Sequence, residues 1–193
     1  MTVTPRDVVE FWFGAPGSAA SAQFRPEWFT VDAAFDAQIR ERFLPTWQRL
    51  HDGELETWRA TPEGALAYVI VADQFPRNGF RGTAQAFASD DLALTAAQAI
   101  VAAGDDAQLS PLQRCFVYLP FEHAESLAMQ DRSVALFKAL TDANPELATV
   151  LDFAHRHRDV IVRFGRFPHR NAALGRESSD AERAFLREPG SSF

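Results

Sequence analysis

Apolar residues recur every three or four positions along most of the chain, and this spacing places them on one face of an α-helix. The segment from Phe35 to Trp47 follows the rule, with Ile39 and Phe43 at the intermediate steps. No segment alternates apolar and polar residues for long enough to build a β-sheet. The pattern predicts an all-α protein in which short helices pack as antiparallel hairpins.

Helix starts are marked by a capping residue that precedes proline. The cap side chain accepts a hydrogen bond from a backbone N–H of the first turn, and proline at the first helical position has no N–H to leave unsatisfied. A serine followed three residues later by glutamate is a further signal, the capping box. We expect helices to begin at Thr4-Pro5, Thr61-Pro62, Ser110-Pro111, Asn144-Pro145 and Ser179.

The segment from Ala65 to Ala72 is apolar on every face and fits either a buried helix or a buried strand. Its proline-marked start and its three alanines favour a helix, which Pro76 is expected to end. Asp73 then lies near the helix C-terminus, where a carboxylate needs a cation or a donor nearby. Either Asp73 pairs with an arginine such as Arg77, or it forms the floor of a site.

Composition narrows the class of protein. With 193 residues and 47% hydrophobic content, a single domain over residues 1–193 can bury its own core. One cysteine, Cys115, excludes a disulfide framework and the repeated cysteines of zinc modules, so we expect a cytoplasmic protein. The N-terminal segment shows no signal-peptide cleavage site, and no apolar run approaches about 18 residues, so we expect neither secretion nor a membrane-spanning segment.

Positive charge is concentrated in the C-terminal quarter. The net charge of the chain is −7, yet the segment from Arg156 to Arg176 holds six arginines and one acid, Asp159. This basic segment must meet acids from elsewhere in the chain or an external anion. The negative total argues against nucleic acid as a partner.

Two acids and a histidine follow Pro120, where we expect a helix to begin. On that helix Glu122 and Glu125 would be neighbours, with Glu125 partly buried. Two carboxylates beside His123 can serve as general acid and base. In the alternative, Glu125 pairs with an arginine and Glu122 is solvated, because ion-pair networks also use such residues.

The helix that starts at Pro145 carries His157 and Arg158 close to the centre of its apolar face. We therefore expect both side chains to point inward. A buried histidine is either a hydrogen-bonded core residue or a ligand, and a buried arginine must meet an acid or an anion.

The segment from Arg163 to Asn171, called the arginine loop below, is the strongest candidate site. Gly165 and Pro168 end the preceding helix, so the cationic side chains here lie on a loop. Arginine binds carboxylate or phosphate through two parallel hydrogen bonds, which points to an anion site. The alternative is an internal ion-pair clamp. The candidate binding residues of the loop are Arg163, Arg166, His169, Arg170 and Asn171.

Three long phrases of the sequence, DQFPRNGFRGT from Asp73, LPFEHAES from Leu119 and RFGRFPHRNAALGR from Arg163, resemble the domain-of-unknown-function 924 family. The resemblance covers essentially the whole chain. It implies a tetratricopeptide-like superhelix of irregular repeats and no assigned activity, and Ala124 stands where the family commonly has serine. These phrases contain most of the candidate site residues named above, and the resemblance therefore groups them: Asp73, Arg77, Asn78, Glu122, His123, Glu125, Arg163, Arg166, His169, Arg170 and Asn171.

Three functions remain open from the sequence. The first is a binding module for a small anionic molecule or an acidic peptide segment. The second is a hydrolase that uses Glu122 or Glu125 with His123. The third is a structural scaffold in which the arginine loop is an ion-pair clamp. No cofactor and no metal is expected, since the chain has no phosphate-binding glycine loop and no HExxH motif.

Overall fold

The structure, a computed structural model, describes residues 2–191, and every regular element in that range is helical. The prediction of an all-α protein is confirmed. The tetratricopeptide-like arrangement stays a prediction from the resemblance. The α-helices are α1 Pro5–Phe13, α2 Ala33–His51, α3 Pro62–Val69, α4 Phe75–Gly79, α5 Asp90–Ala103, α6 Pro111–His123, α7 Leu127–Ala143, α8 Ala148–Phe164 and α9 Asp180–Phe185.

Short helical turns join these helices. A π-turn, Ile70–Gln74, connects α3 to α4 without a break. The other connections include 3-10 turns at Ala19–Ala22, Pro26–Trp28, Glu56–Ala60, Ala84–Phe87, Asp105–Gln108, Pro145–Leu147 and Pro168–Arg170.

The backbone packs as two compact units. Within residues 2–191, the first holds residues 2–81 together with Gln85–Pro120, and the second holds Gly82–Ala84 and residues 121–191. The prediction of a single domain over residues 1–193 stays a prediction.

Most of the predicted helix starts are confirmed by their hydrogen bonds. Thr4 and Ser179 each form a complete capping box, and the Thr61 side chain accepts a bond from the Gly64 backbone N–H. The start at Asn144 differs from the prediction. A 3-10 turn precedes α8, and the Asn144 amide donates to the Leu140 carbonyl instead of accepting a capping bond.

The buried helix predicted over residues 65–72 is present, but Pro76 does not end it. Helical backbone continues through the π-turn into α4. Because Pro76 has no N–H, the carbonyl of Ala72 loses its usual donor four residues later. The Ser89 hydroxyl replaces that donor at 2.6 Å, and it accepts a bond from the Trp47 indole N–H at 3.0 Å. A tertiary hydrogen bond therefore lets the helix pass the proline.

Aromatic rings form the core of the first unit, where α1 packs against α3 and α2 against α4. The rings of Trp12 and Trp28 stack at 5.7 Å, and Phe116 meets Trp28 edge-on at 4.8 Å. Stacked and edge-to-face rings at these distances are favourable beyond the area they bury. Cys115 lies in the same unit and is 3% exposed, in agreement with a packing role.

In the second unit, α7 and α8 form a tightly packed pair joined by a short connection, which makes them antiparallel neighbours. An exposed ion pair between Asp131 Oδ1 and Arg158 Nε, at 2.6 Å, also joins the two helices. Beyond α8, Gly165 adopts the left-handed conformation (φ 69°) and ends the helix as predicted.

The helices of the described chain are too short or too polar to cross a membrane.

Gly64 gives a test of this packing in the first unit. A Cβ atom at this position would lie 2.0 Å from the Trp58 carbonyl oxygen, so an alanine side chain there would force the backbone apart. We expect Gly64→Ala to lower the free energy of unfolding by about 1–3 kcal/mol, although alanine ordinarily favours a helix over glycine by about 1 kcal/mol. Urea unfolding followed by circular dichroism measures the difference.

The control for this substitution is Gly79→Ala. A Cβ at Gly79 would meet only the Arg40 Cγ, at 3.7 Å, which is an ordinary contact. This variant should be as stable as the wild type or more so. A Gly64→Ala protein that is no less stable than Gly79→Ala would contradict the close approach of the Trp58 carbonyl.

Candidate functional site

Three of the predicted site residues lie in the first unit and have polar partners there. Asp73, fully buried in the π-turn, has its Oδ1 3.3 Å from the Arg77 guanidinium, which also lies 3.1 Å from Asp90. The Asn78 amide donates to the buried carboxylate of Asp36 at 2.8 Å. Burial disfavours the charge on Arg77, but its two carboxylate partners outweigh burial and raise its pKa.

The prediction that a helix begins after Pro120 is wrong. α6 runs through Pro120 and ends at His123, so Glu122 and His123 lie in its last turn and Glu125 lies beyond it. Glu122 and Glu125 are therefore not neighbours on one helix face. The sequence alone does not show which contacts compensate for the missing N–H of a proline inside a helix, and such a proline is easily mistaken for a helix start.

Glu122 and His157 form a buried pair. Glu122 is 2% exposed, which contradicts the solvated Glu122 of the ion-pair alternative, and its Oε1 lies 3.0 Å from His157 Nδ1. The same nitrogen lies 2.9 Å from the Phe153 carbonyl oxygen. Because a carbonyl oxygen only accepts hydrogen bonds, Nδ1 carries the proton. His157 is buried as predicted, and it pairs with an acid that only the ion-pair alternative had placed in solvent.

Glu125 pairs with an arginine, as one of the two alternatives predicted. Both carboxylate oxygens bind the Arg176 guanidinium, at 2.6 and 2.9 Å, and one also accepts the Phe167 backbone N–H at 2.8 Å. Partial burial opposes ionisation of Glu125, but the bonds from Arg176 and Phe167 outweigh it and lower the pKa of Glu125. Glu125 is thus held as an anion by this chain's own donors.

Arg166 makes a second two-point pair, with Glu182 of α9. Its Nε and Nη2 lie 2.7 and 2.9 Å from the two carboxylate oxygens, and Nη2 also donates to the Glu177 carbonyl at 2.8 Å. Glu182 is 3% exposed and also accepts the Ser179 backbone N–H of its capping box. The bond from Arg166, followed by that from Ser179, holds the pKa of Glu182 well below its ordinary value.

The remaining candidate cations are dispersed over the second unit. Arg170 is 6% exposed, lies over the Phe167 ring at 4.7 Å and donates to the His123 carbonyl at 3.0 Å. Arg163 is exposed and stacks on Phe164 at 4.7 Å. In such a contact the guanidinium lies over the face of the aromatic ring, and the positive charge of an exposed arginine stays accessible to water.

Three further residues of the predicted site differ in their exposure and in their partners. Arg158 does not point inward as expected, since its side chain is 36% exposed and pairs with exposed Asp131. His169 is half-buried with its ring 5.6 Å from that of Phe167. Asn171 is buried, donates to the Ser178 hydroxyl and accepts from Arg176, both at 3.0 Å.

Sequence reasoning missed the partners that define this region. The sequence presents Arg176 only as the end of a motif, and Glu182 only as part of a capping box. Gln130, fully buried on α7, donates to the carbonyls of Glu122 and Ala124 at 2.6 and 2.8 Å. Nothing in the sequence around Gln130 signals that bond, because it depends on how the end of α6 meets α7.

Across residues 2–191, no three or more histidine, cysteine, aspartate or glutamate side chains are gathered in an arrangement that would hold a metal ion. The carboxylates described above use arginine, histidine and backbone groups as their partners.

Comparison with known proteins agrees with the motifs. A family model described as bacterial protein of unknown function, DUF924, matches residues 8–190. The solved structure of a protein of unknown function from Agrobacterium tumefaciens is similar, with 40% identity, a TM-score of 0.84, and coverage of 95% of this chain and 96% of that one. No curated protein matches. The chain therefore belongs to the DUF924 family.

Proposed function

We propose that this protein is a helical scaffold in which the arginine loop is an internal ion-pair clamp. The observation that carries the proposal is the pair of two-point bonds from Arg166 to Glu182 and from Arg176 to Glu125. In each pair, two N–H donors of the guanidinium bind the two oxygens of one carboxylate. An external carboxylate or phosphate would use these same donors in the same geometry. The hydrophobic helical hairpins that the family resemblance implies would supply the rest of the scaffold.

The location of the clamp supports a structural role. Arg166 joins the start of the arginine loop to α9, and Arg176 joins the end of the same region to Glu125, just after α6. Both pairs fasten the chain beyond α8, which contributes few apolar side chains to a core. Phe167 and Phe185 of this segment pack in a small apolar cluster with Val160, Ile161 and Phe164 of α8.

The charge balance supports the same role. The basic excess of the segment from Arg156 to Arg176 meets acids that lie outside it, namely Asp131, Glu125 and Glu182. A carboxylate that is buried stays charged only when donors surround it, and Glu182 has them. The proposal also takes the protein to work in the cytoplasm, which a single buried cysteine suits.

Arg166→Ala tests the clamp directly. It removes both bonds to Glu182 and leaves a buried carboxylate without its main cation, so the melting temperature should fall by several degrees. Arg163→Ala is the matched control, because Arg163 is exposed and stacks on rings; its melting temperature should stay close to that of the wild type. Differential scanning calorimetry measures both.

Binding measurements then separate the clamp from an anion site. Isothermal titration calorimetry measures the affinity of the wild type and of Arg166→Ala for inorganic phosphate and for an acidic peptide. If the loop is a clamp, the substitution should not lower either affinity. A tenfold loss of affinity in Arg166→Ala, with an unchanged melting temperature, would instead favour the binding module for a small anion or an acidic partner segment.

The lowered pKa values of Glu125 and Glu182 predict the pH dependence of stability. A carboxylate whose pKa is lower in the folded state contributes stability above its unfolded value of about 4.3, and that contribution is lost as pH falls through the folded pKa. We expect the unfolding free energy of the wild type to decrease below about pH 5.

A variant reveals how much of this loss comes from the clamp. Glu182→Gln should start less stable at pH 7 and lose less on acidification, because it has no proton to take up at this position. Glu146→Gln, at an exposed site, should follow the wild-type curve. Parallel curves for Glu182→Gln and the wild type from pH 7 to pH 2 would show that Glu182 is not held as proposed. Urea unfolding at each pH provides the curves.

A second candidate function, acid–base catalysis, is supported by the pair of Glu122 and His157. A carboxylate that accepts from Nδ1 of histidine orients the ring and stabilises its protonated form, as in many hydrolases. This pair differs from the one that the sequence suggested, since Glu125 is bound by Arg176 and the histidine is His157 in place of His123. The contact between Glu122 and His157 is the one observation that supports a hydrolase as the second candidate.

Assays with esterase, phosphatase and peptidase substrates test the second candidate. If the pair is catalytic, Glu122→Gln and His157→Gln should each lower kcat by about 10²–10⁴-fold, while Asp131→Asn, at an exposed ion pair, should not. Circular dichroism shows whether each variant is folded. Equal background rates in all four proteins would end this candidate.

A further inference from the structure

Three buried polar atoms of the second unit have no hydrogen-bond partner among the described residues. They are Glu122 Oε2, Gln130 Oε1 and Ser133 Oγ, on side chains that are 2%, 0% and 0% exposed. A buried polar group without a partner destabilises the folded state, because it has given up its hydrogen bonds to water, so three such groups together would be strongly destabilising. Their presence points to a molecule that pairs with them.

The contacts of the second unit place these three residues in one region. Gln130 binds the backbone carbonyl of Glu122 at 2.6 Å, and Ser133 follows one turn later on the buried face of α7. Glu122 binds His157 of α8, and the pair of Asp131 with Arg158 sets that turn of α8 beside residues 130–133. The three oxygens therefore belong to residues where the end of α6, the start of α7 and the middle of α8 meet.

The chemistry of the oxygens defines their ligand. The Gln130 amide is oriented by its Nε2, which donates to two carbonyls, so Oε1 is left as an acceptor. Glu122 Oε2 is an acceptor as well, and the Ser133 hydroxyl can donate or accept. A suitable ligand donates at least two hydrogen bonds. An anion is excluded, because it would face a carboxylate and a carbonyl dipole without a donor other than the hydroxyl.

We propose that Glu122 Oε2, Gln130 Oε1 and Ser133 Oγ form an internal site for one small hydrogen-bond donor of the size of water or the ammonium ion. Water would donate to the two carbonyl-type oxygens and accept from Ser133, the three bonds that are typical of a buried water. Ammonium would donate to all three oxygens and be balanced by the Glu122 charge. The site is independent of the arginine clamp and places a proton-donating molecule next to the Glu122–His157 pair.

A high-resolution crystal structure, from crystals grown without ammonium salts, tests the site. We expect one density peak within about 3.2 Å of at least two of the three oxygens. The same structure of Ser133→Ala should show the peak weakened or shifted away from position 133. Absence of the peak in the wild type, with the three side chains turned to bind protein groups, would overturn the proposal.

A thermal titration separates the two ligands. If ammonium binds, ammonium chloride should raise the melting temperature above that in sodium chloride of equal ionic strength, and Ser133→Ala should lose at least half of the rise. Ser126→Ala is the matched control, because the Ser126 side chain makes no capping bond, and it should keep the full rise. A peak without an ammonium effect assigns the site to water. An ammonium effect that Ser133→Ala retains in full, without a peak, would overturn the proposal.

Discussion

A carboxylate that is shielded from water needs hydrogen-bond donors from the protein. The second unit contains three such carboxylates, two of them buried and one partly buried. Glu182 receives Arg166 and a backbone N–H, Glu125 receives Arg176 and a backbone N–H, and Glu122 receives His157. Removing one partner of such a pair is costly, because the remaining charge stays buried. The course of the chain beyond α8 follows from where these donors must lie.

A related requirement governs backbone carbonyls that lose a helical donor. Pro76 removes the donor for the Ala72 carbonyl, and the Ser89 hydroxyl takes its place. At the C-terminal end of α6, Gln130 donates to the carbonyls of Glu122 and Ala124, where a helix end leaves such groups without a helical donor. Side chains from elsewhere in the chain thus complete the backbone hydrogen bonding that proline and a helix end would leave open.

The structure also changes how the long motifs of the sequence are understood. The arginine loop looked like an anion site because four cationic or titratable side chains lie within eight residues. Arg166 of the loop and Arg176, which follows it, each bind a carboxylate of the chain itself, and Arg163 stacks on rings at the surface. Three buried oxygens without a described partner lie outside the loop, on Glu122, Gln130 and Ser133. Charged residues of a dense motif can therefore find their partners within the same chain.

The sequence by itself determined the class of fold and most of the helix starts. Capping residues, proline positions and helical spacing act within a few residues of each other, so Thr4, Thr61, Ser179 and Gly165 could be placed correctly. The burial of His157 followed from one helix face in the same way. What only the tertiary structure decided was pairing: which carboxylate each arginine meets, and which donor lets a helix pass a proline. Those bonds join residues as many as 51 positions apart, and their energies depend on burial and distance, which local sequence patterns do not encode.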